Sequence, residues 1–120
     1  MAAELRAPVG ALALILLSGC GGDQLAFSCA QVQSSGGQKV CEDYHGALTA
    51  PDVDSLASQC TQAGGVGSRT DACITRGGGG CRQDFKTESA SGYVVRWLLE
   101  EPSEAAKTIC ANAMLKYVSP

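Results

Sequence analysis

The residues best suited to chemistry in this chain are Asp43 and His45, the latter being the only histidine. They alternate with Tyr44, so on a β-strand both would point to the same face. An aspartate beside a histidine could prepare a serine nucleophile, for which Ser55 and Ser58 are candidates. No serine stands in the G-x-S-x-G turn of the α/β-hydrolases. A small hydrolase using His45 therefore stays an alternative, and we assign no catalytic residue.

Seven cysteines offer three chemistries: metal binding, redox exchange and disulfide bonding. No two of them lie closer than eight positions, so the sequence has no C-x-x-C spacing of the kind found in zinc knuckles and redox motifs. We therefore expect no metal site and no cofactor. Six cysteines are expected to form disulfides, namely Cys29, Cys41, Cys60, Cys73, Cys81 and Cys110.

Adjacent acids and a glycine run are the other candidates. Glu42 and Asp43 are neighbours, and neighbours on a strand face opposite sides, so they make no shared acid–base site. Glu100 and Glu101 precede Pro102 and suit the start of a helix. The run from Arg76 to Gly80 lacks the G-K-[ST] ending of a phosphate-binding loop, and we expect it to be a flexible hairpin turn.

The apolar run from Val9 to Leu17 ends in Leu17-Ser18-Gly19-Cys20. This stretch resembles the lipobox of bacterial lipoprotein signal peptides. The resemblance implies a signal peptide over 1–19, a diacylglyceryl group on Cys20 and a further acyl chain, such as palmitate, on its amino group. The apolar run spans about nine residues, whereas a transmembrane helix needs about 20. Gly21 follows the cysteine, and the family's sorting rule then implies the outer membrane.

The lipobox resemblance also explains the odd cysteine count, since Cys20 carries lipid and six cysteines remain to pair. The alternative is ordinary secretion with cleavage near Gly22 and a Cys20 that is unpaired or intermolecular. The formal net charge is -3 and the nine Lys and Arg are scattered, which excludes a nucleic-acid-binding stripe. We expect a protein of the cell envelope whose partners are the membrane and an envelope protein.

The chain after the signal peptide is expected to hold a tether over 20–28 and a cysteine-rich domain over 29–120. Two units, 29–65 and 73–117, show the same order of features: cysteine, glycine turn, cysteine, proline, and a helical stretch with a third cysteine. Three cysteines in each unit is an odd number, so at least one disulfide must join the units. Of the fifteen connectivities, we favour Cys41–Cys60, Cys81–Cys110 and Cys29–Cys73.

Hydrophobic periodicity predicts an α+β fold, with two helices packed on a small antiparallel sheet. Gly92–Leu99, which holds Trp97, is apolar on both faces and is expected to be central. The predicted elements are a hairpin of Ala26–Gln33 and Gln38–Tyr44, a helix over Asp52–Ala63, a short strand over Ala72–Arg76, strands over Cys81–Glu88 and Gly92–Leu99, and a helix over Ser103–Lys116.

These features favour a lipid-anchored, disulfide-stabilised, non-enzymatic binding or structural module. The domain is similar to small cysteine-rich bacterial lipoproteins, a likeness that implies no activity. Besides the hydrolase, the remaining alternative is an inhibitor of proteases or lysozyme-type enzymes, because stapled domains present rigid loops. The segment from Val66 to Gly80 is the candidate inhibitory loop.

Overall fold

The computed structural model describes residues 24–33, 37 and 39–120, so the signal peptide over 1–19 and the lipidation site Cys20 lie outside the described residues. Within the described part there are six strands and two helices. In chain order they are β1 (Leu25–Gln33), β2 (Lys39–Ala47), α1 (Ala50–Gln62), β3 (Val66–Ser68), β4 (Gly80–Lys86), β5 (Ser91–Leu98), α2 (Ser103–Asn112) and β6 (Lys116–Val118).

The described strands form one antiparallel sheet in the order β3-β1-β2-β5-β4-β6. Each half contains a hairpin, a helix and a short strand that returns to pair with the first strand of its hairpin. The halves meet at β2 and β5, whose register runs from Val40 opposite Leu98 to Ala47 opposite Ser91. This arrangement confirms the α+β fold with two helices on an antiparallel sheet.

The two ends of the sheet are distinguished by the pairs at the β2–β5 junction. At one end Gly46 pairs with Gly92, and we call this the Gly46 end. The backbone N–H of Gly46 donates to the carbonyl of Gln24 at 2.8 Å, so the described chain also begins there. At the other end Val40 pairs with Leu98, and we call this the Leu98 end. Helix α1 starts after β2 at the Gly46 end, whereas α2 starts after β5 at the Leu98 end.

Three disulfides join the described cysteines: Cys29–Cys60, Cys41–Cys73 and Cys81–Cys110. The expected Cys81–Cys110 bond is confirmed, but Cys41–Cys60 and Cys29–Cys73 are wrong. Cys29 lies opposite Glu42 in the sheet, so Cys29 and Cys41 point to opposite faces. Only Cys29 faces α1, and Cys41 instead meets Cys73 on the second face of the sheet.

The internal correspondence of the repeat also differs from the expectation. Cys29 corresponds to Cys81, since each lies in the first strand of a hairpin and bonds to the helix of its own half. The order of features in the sequence had instead matched Cys29 with Cys73. Cys73 lies in the segment between the halves, and its bond to Cys41 has no counterpart in the second half.

Each helix packs on its hairpin through a small apolar core built around a disulfide. One core holds Cys29, Cys60, Phe27 and Val53, and Tyr44 and Leu56 pack against it. The second core contains the other intra-half disulfide and is made of Val40, Cys81, Leu98, Ala106 and Cys110. Helix α1 begins with a capping box in which Thr49 and Asp52 bond reciprocally.

The C-terminal ends of both helices form the same turn. The N–H of Gly65 donates to Cys60 O at 2.9 Å, and the N–H of Leu115 donates to Cys110 O at 2.8 Å. The residues before them, Gly64 and Met114, have φ of +80° and +59°. The predicted continuation of the second helix to Lys116 is therefore wrong, because the left-handed turn ends α2 and lets β6 join the sheet.

The segment 69–79, which we call the crossing segment, runs over the second face of the sheet from β3 to β4. Ser28 Oγ donates to Asp71 O at 2.6 Å at its start, and Cys73 is bonded to Cys41 in its middle. The predicted strand over Ala72–Arg76 is wrong, since these residues form no ladder. The stretch from Val66 to Gly80, expected to be a loop, instead begins with the strand β3.

The glycine run is not a flexible turn. Gly78, Gly79 and Gly80 are buried, and the N–H of Gly78 donates to Glu101 O at 2.6 Å. Gly79 O accepts from the N–H of Leu98 at 2.9 Å. The run therefore passes tightly between the β5–α2 connection and β6, and a side chain on these glycines would clash with the backbone of those neighbours.

Residues Leu25–Ser28, expected to belong to the tether, form the start of β1, with Phe27 and Ser28 buried. Their burial follows from the pairing of β1 with β2 and from the packing of Phe27 under α1. The domain thus begins several residues earlier than its first paired cysteine.

Candidate functional site

Asp43 and His45 both lie on β2 and share the second face of the sheet, as strand alternation predicts. The Asp43 side chain is only 4% exposed. Its Oδ1 accepts from the backbone N–H of Cys73 at 2.8 Å, and its Oδ2 accepts from Trp97 Nε1 at 2.9 Å. The carboxylate therefore fastens the crossing segment to the sheet and orients the Trp97 indole.

His45 stacks on Tyr93 of the neighbouring strand, with ring centroids 4.8 Å apart and planes 12° from parallel. The Arg82 guanidinium lies 3.8 Å from the Tyr93 ring centroid, and Arg82 Nε donates to Asp84 Oδ1 at 2.9 Å. These side chains form a row across β2, β5 and β4 on the second face. Arg82 and His45 approach Tyr93 from the strands on either side of β5, and both lie against its ring.

The serines considered as nucleophiles lie on the other side of the sheet. Ser55 and Ser58 are exposed on α1, where their hydroxyls accept hydrogen bonds from Gln59 and Gln62 of the same helix. His45 projects from the face that α1 does not cover. The aspartate, histidine and serines of the hydrolase hypothesis are therefore not assembled into one site.

A charged cluster that the sequence analysis did not identify lies on the helix face, where β2 and β5 meet. Arg96 Nε donates to Glu42 Oε2 at 2.7 Å, and the Tyr44 hydroxyl donates to Glu42 Oε1 at 3.2 Å. Glu42 is the more buried partner, with its side chain 16% exposed against 40% for Arg96. The pairing of Glu42 with Arg96 in the strand register could be found only once the β2–β5 junction was known.

Burial, followed by the neighbouring Glu42 carboxylate, raises the pKa of Tyr44 to about 12, and Arg96 opposes this only partly. Tyr44 in the unfolded chain would ionise near pH 10, so its contribution to stability is complete below pH 10 and is lost as the pH rises towards 12. We expect absorbance titration at the phenolate band to show one tyrosine ionising near pH 12, absent in Tyr44→Phe. Full loss of the late step in Tyr93→Phe instead would contradict this.

A groove of about 410 Å³, which we call the large groove, lies on the helix face between α1 and the β4–β5 hairpin. Its apolar lining is Tyr44, Leu48, Leu56, Phe85, Ala90 and Val94. A second, smaller cavity of about 250 Å³ lies under the crossing segment. Ile74, at its rim, is 88% exposed, so an apolar side chain projects from a segment fixed by a disulfide.

Two further findings concern the described residues alone. They contain no group of three or more His, Cys, Asp and Glu side chains arranged to hold a metal ion. Neither of their helices combines the length and the apolar character that crossing a membrane requires.

Searches against protein-family models, curated proteins and solved structures returned no match.

Proposed function

We propose that this protein is a lipid-anchored, non-enzymatic binding module of the cell envelope, held at the outer membrane by acyl chains on Cys20. The supporting observation is the L-S-G-C tetrad after an apolar run, combined with three disulfides among the remaining six cysteines. Disulfides persist in oxidising compartments, so this cysteine usage is compatible with a domain outside the cytoplasm.

The surface that we propose for protein binding is the exposed part of the crossing segment, Ile74 to Arg76. Its backbone is held from both sides: Cys73 is bonded to Cys41 and to the Asp43 carboxylate, and Gly78 is bonded to Glu101. Holding the loop in place beforehand lowers the entropy lost when a partner binds. The segment reaches the Leu98 end of the sheet, which is the end away from Gln24 and the proposed anchor.

The anchor is tested by the intact mass of the protein from a membrane fraction, alkylated without reduction. We expect a chain that starts at Cys20, carries lipid and has no alkylated thiol. The matched variant Cys20→Ser should leave the membrane fraction while keeping all three disulfides. A lipid-free wild-type chain with a free thiol would overturn the anchor.

The binding surface is tested by photo-crosslinking from position 74 in intact cells. Position 62 is the matched control, because Gln62 is also exposed but lies on α1 at the other face of the sheet. We expect a discrete protein adduct from position 74 and none from position 62. Equal labelling from both positions, or none from either, would overturn this assignment.

One observation favours the inhibitor alternative as a second candidate. Arg76 is exposed beside Thr75 and Ile74 on the disulfide-fixed segment, and a protease with an acidic specificity pocket selects arginine. Inhibition of such a protease by the wild-type domain, lost in Arg76→Ala, would support this function. Rapid cleavage after Arg76 without inhibition would exclude it.

A further inference from the structure

We infer that the Gly46 end of the domain is a membrane-contact surface that rests on the acyl-chain region of the bilayer. This inference depends on the proposed lipid anchor and adds an orientation to it. The contact surface consists of Leu48, Phe85 and Ala90, which line the large groove, together with Met114. Three independent features place this surface towards lipid: chain reach, an unusual methionine and the groove.

The first feature, chain reach, is the short length of chain between Cys20 and Gln24, which limits the distance between the domain and the membrane. Gln24 is fixed to the Gly46 end by its bond to the Gly46 N–H. Gln24 lies four positions after Cys20, and a chain of four residues extends at most about 14 Å. Acyl chains on Cys20 insert into the bilayer, so the Gly46 end must lie within this distance of the headgroups.

Met114 is the second feature. Its side chain is 93% exposed and its backbone has φ +59°, a conformation that favours glycine. The corresponding turn after α1 has Gly64 at this position. A methionine here is disfavoured by its backbone and gains little burial within the domain. Strand β6 starts opposite Arg82 and runs towards Gly80, so Met114, two residues earlier, lies towards the Gly46 end.

The groove is the third feature, because it brings apolar surface to the same end. Leu48 directly follows the end of β2, and Phe85 lies opposite Gly92 in the sheet. Acyl chains are the occupant that fits this position, since the nearest apolar material outside the domain is the lipid on Cys20 and the surrounding bilayer. The exposed polar residues at this end include Lys86, Thr87, Glu88 and Ser89, which suit the headgroup layer.

The orientation is tested with a photo-reactive benzophenone amino acid in the lipid-anchored protein, incorporated into phosphatidylethanolamine–phosphatidylglycerol vesicles. Met114 and Ile74 form a matched pair, because both are apolar and almost fully exposed but lie towards opposite ends. We expect lipid adducts from position 114 to exceed those from position 74 by roughly fivefold or more. Circular dichroism of each variant checks that the domain is folded.

The outcomes separate the two proposals. A chain whose mass shows lipid on Cys20, but which gives equally few lipid adducts from positions 114 and 74, overturns the orientation and leaves the anchor intact. A chain without lipid on Cys20 overturns the anchor and the orientation together.

Discussion

Gly78→Ala is expected to destabilise the oxidised domain by about 3 kcal/mol or more, because the new methyl group would overlap backbone that cannot move aside. A Cβ at position 78 would lie 2.0 Å from Ser103 N and 2.3 Å from Pro102 C. These atoms start α2, whose position is fixed by the Cys81–Cys110 disulfide. Removing this overlap would require α2 or the crossing segment to shift.

The matched control is Gly64→Ala. A Cβ there would meet no atom within 4 Å, but the φ of +80° still disfavours alanine, so a loss of about 1 kcal/mol is expected. Urea unfolding of the non-reduced proteins, followed by circular dichroism, gives both values. A Gly78→Ala protein no less stable than Gly64→Ala would show that the glycine run can accommodate a methyl group. It would contradict the tight packing of the run between the β5–α2 connection and β6.

The helices and the long strands could be predicted because each contains a full period of apolar positions. Hydrophobic periodicity after a proline predicted a helix over Asp52–Ala63, and the observed α1 agrees with it to within two residues at each end. The strands β3 and β6 have three residues each, too few for any periodicity to register. Their presence depends on the left-handed turns at Gly64 and Met114, and only the glycine gave a signal in the sequence.

Part of the disulfide pattern could have been predicted from the spacing of the cysteines. Cys29 and Cys60 are 31 positions apart, and Cys81 and Cys110 are 29 apart, so the two intra-half bonds close loops of nearly equal size. That similarity was present in the sequence. The pairing of Cys41 with Cys73 was not, because it depends on the crossing segment passing over the second face of the sheet.

The chemistry around Asp43 could be predicted only in part. Strand alternation correctly placed Asp43 and His45 on one face. The partners that occupy the Asp43 carboxylate are 30 and 54 residues away, so no local pattern could identify them. Long-range hydrogen bonds of this kind turn a residue that resembles a catalytic acid into a structural one.

Asp43→Ala is expected to cost roughly 3 kcal/mol of unfolding free energy, because it leaves two partly buried donors without an acceptor, the N–H of Cys73 and Trp97 Nε1. Asp43→Asn keeps one acceptor oxygen and should lose about half as much. The fluorescence of Trp97, the only tryptophan, should shift to longer wavelength in the alanine variant as its indole loses this partner.

The matched control for Asp43 is Asp54→Ala, which removes a carboxylate that is 68% exposed and paired with Arg69 at 2.8 Å on the surface. Such a pair contributes under about 1 kcal/mol, so this variant should unfold at almost the wild-type urea concentration. Asp43→Ala could instead be as stable as Asp54→Ala and show the same hydrolytic activity as the wild type. In that case neither a structural nor a catalytic role remains for Asp43. If Asp43→Ala keeps its stability but abolishes a hydrolytic activity of the wild-type protein, the hydrolase alternative returns and the assignment of Asp43 as the fastening point of the crossing segment is wrong.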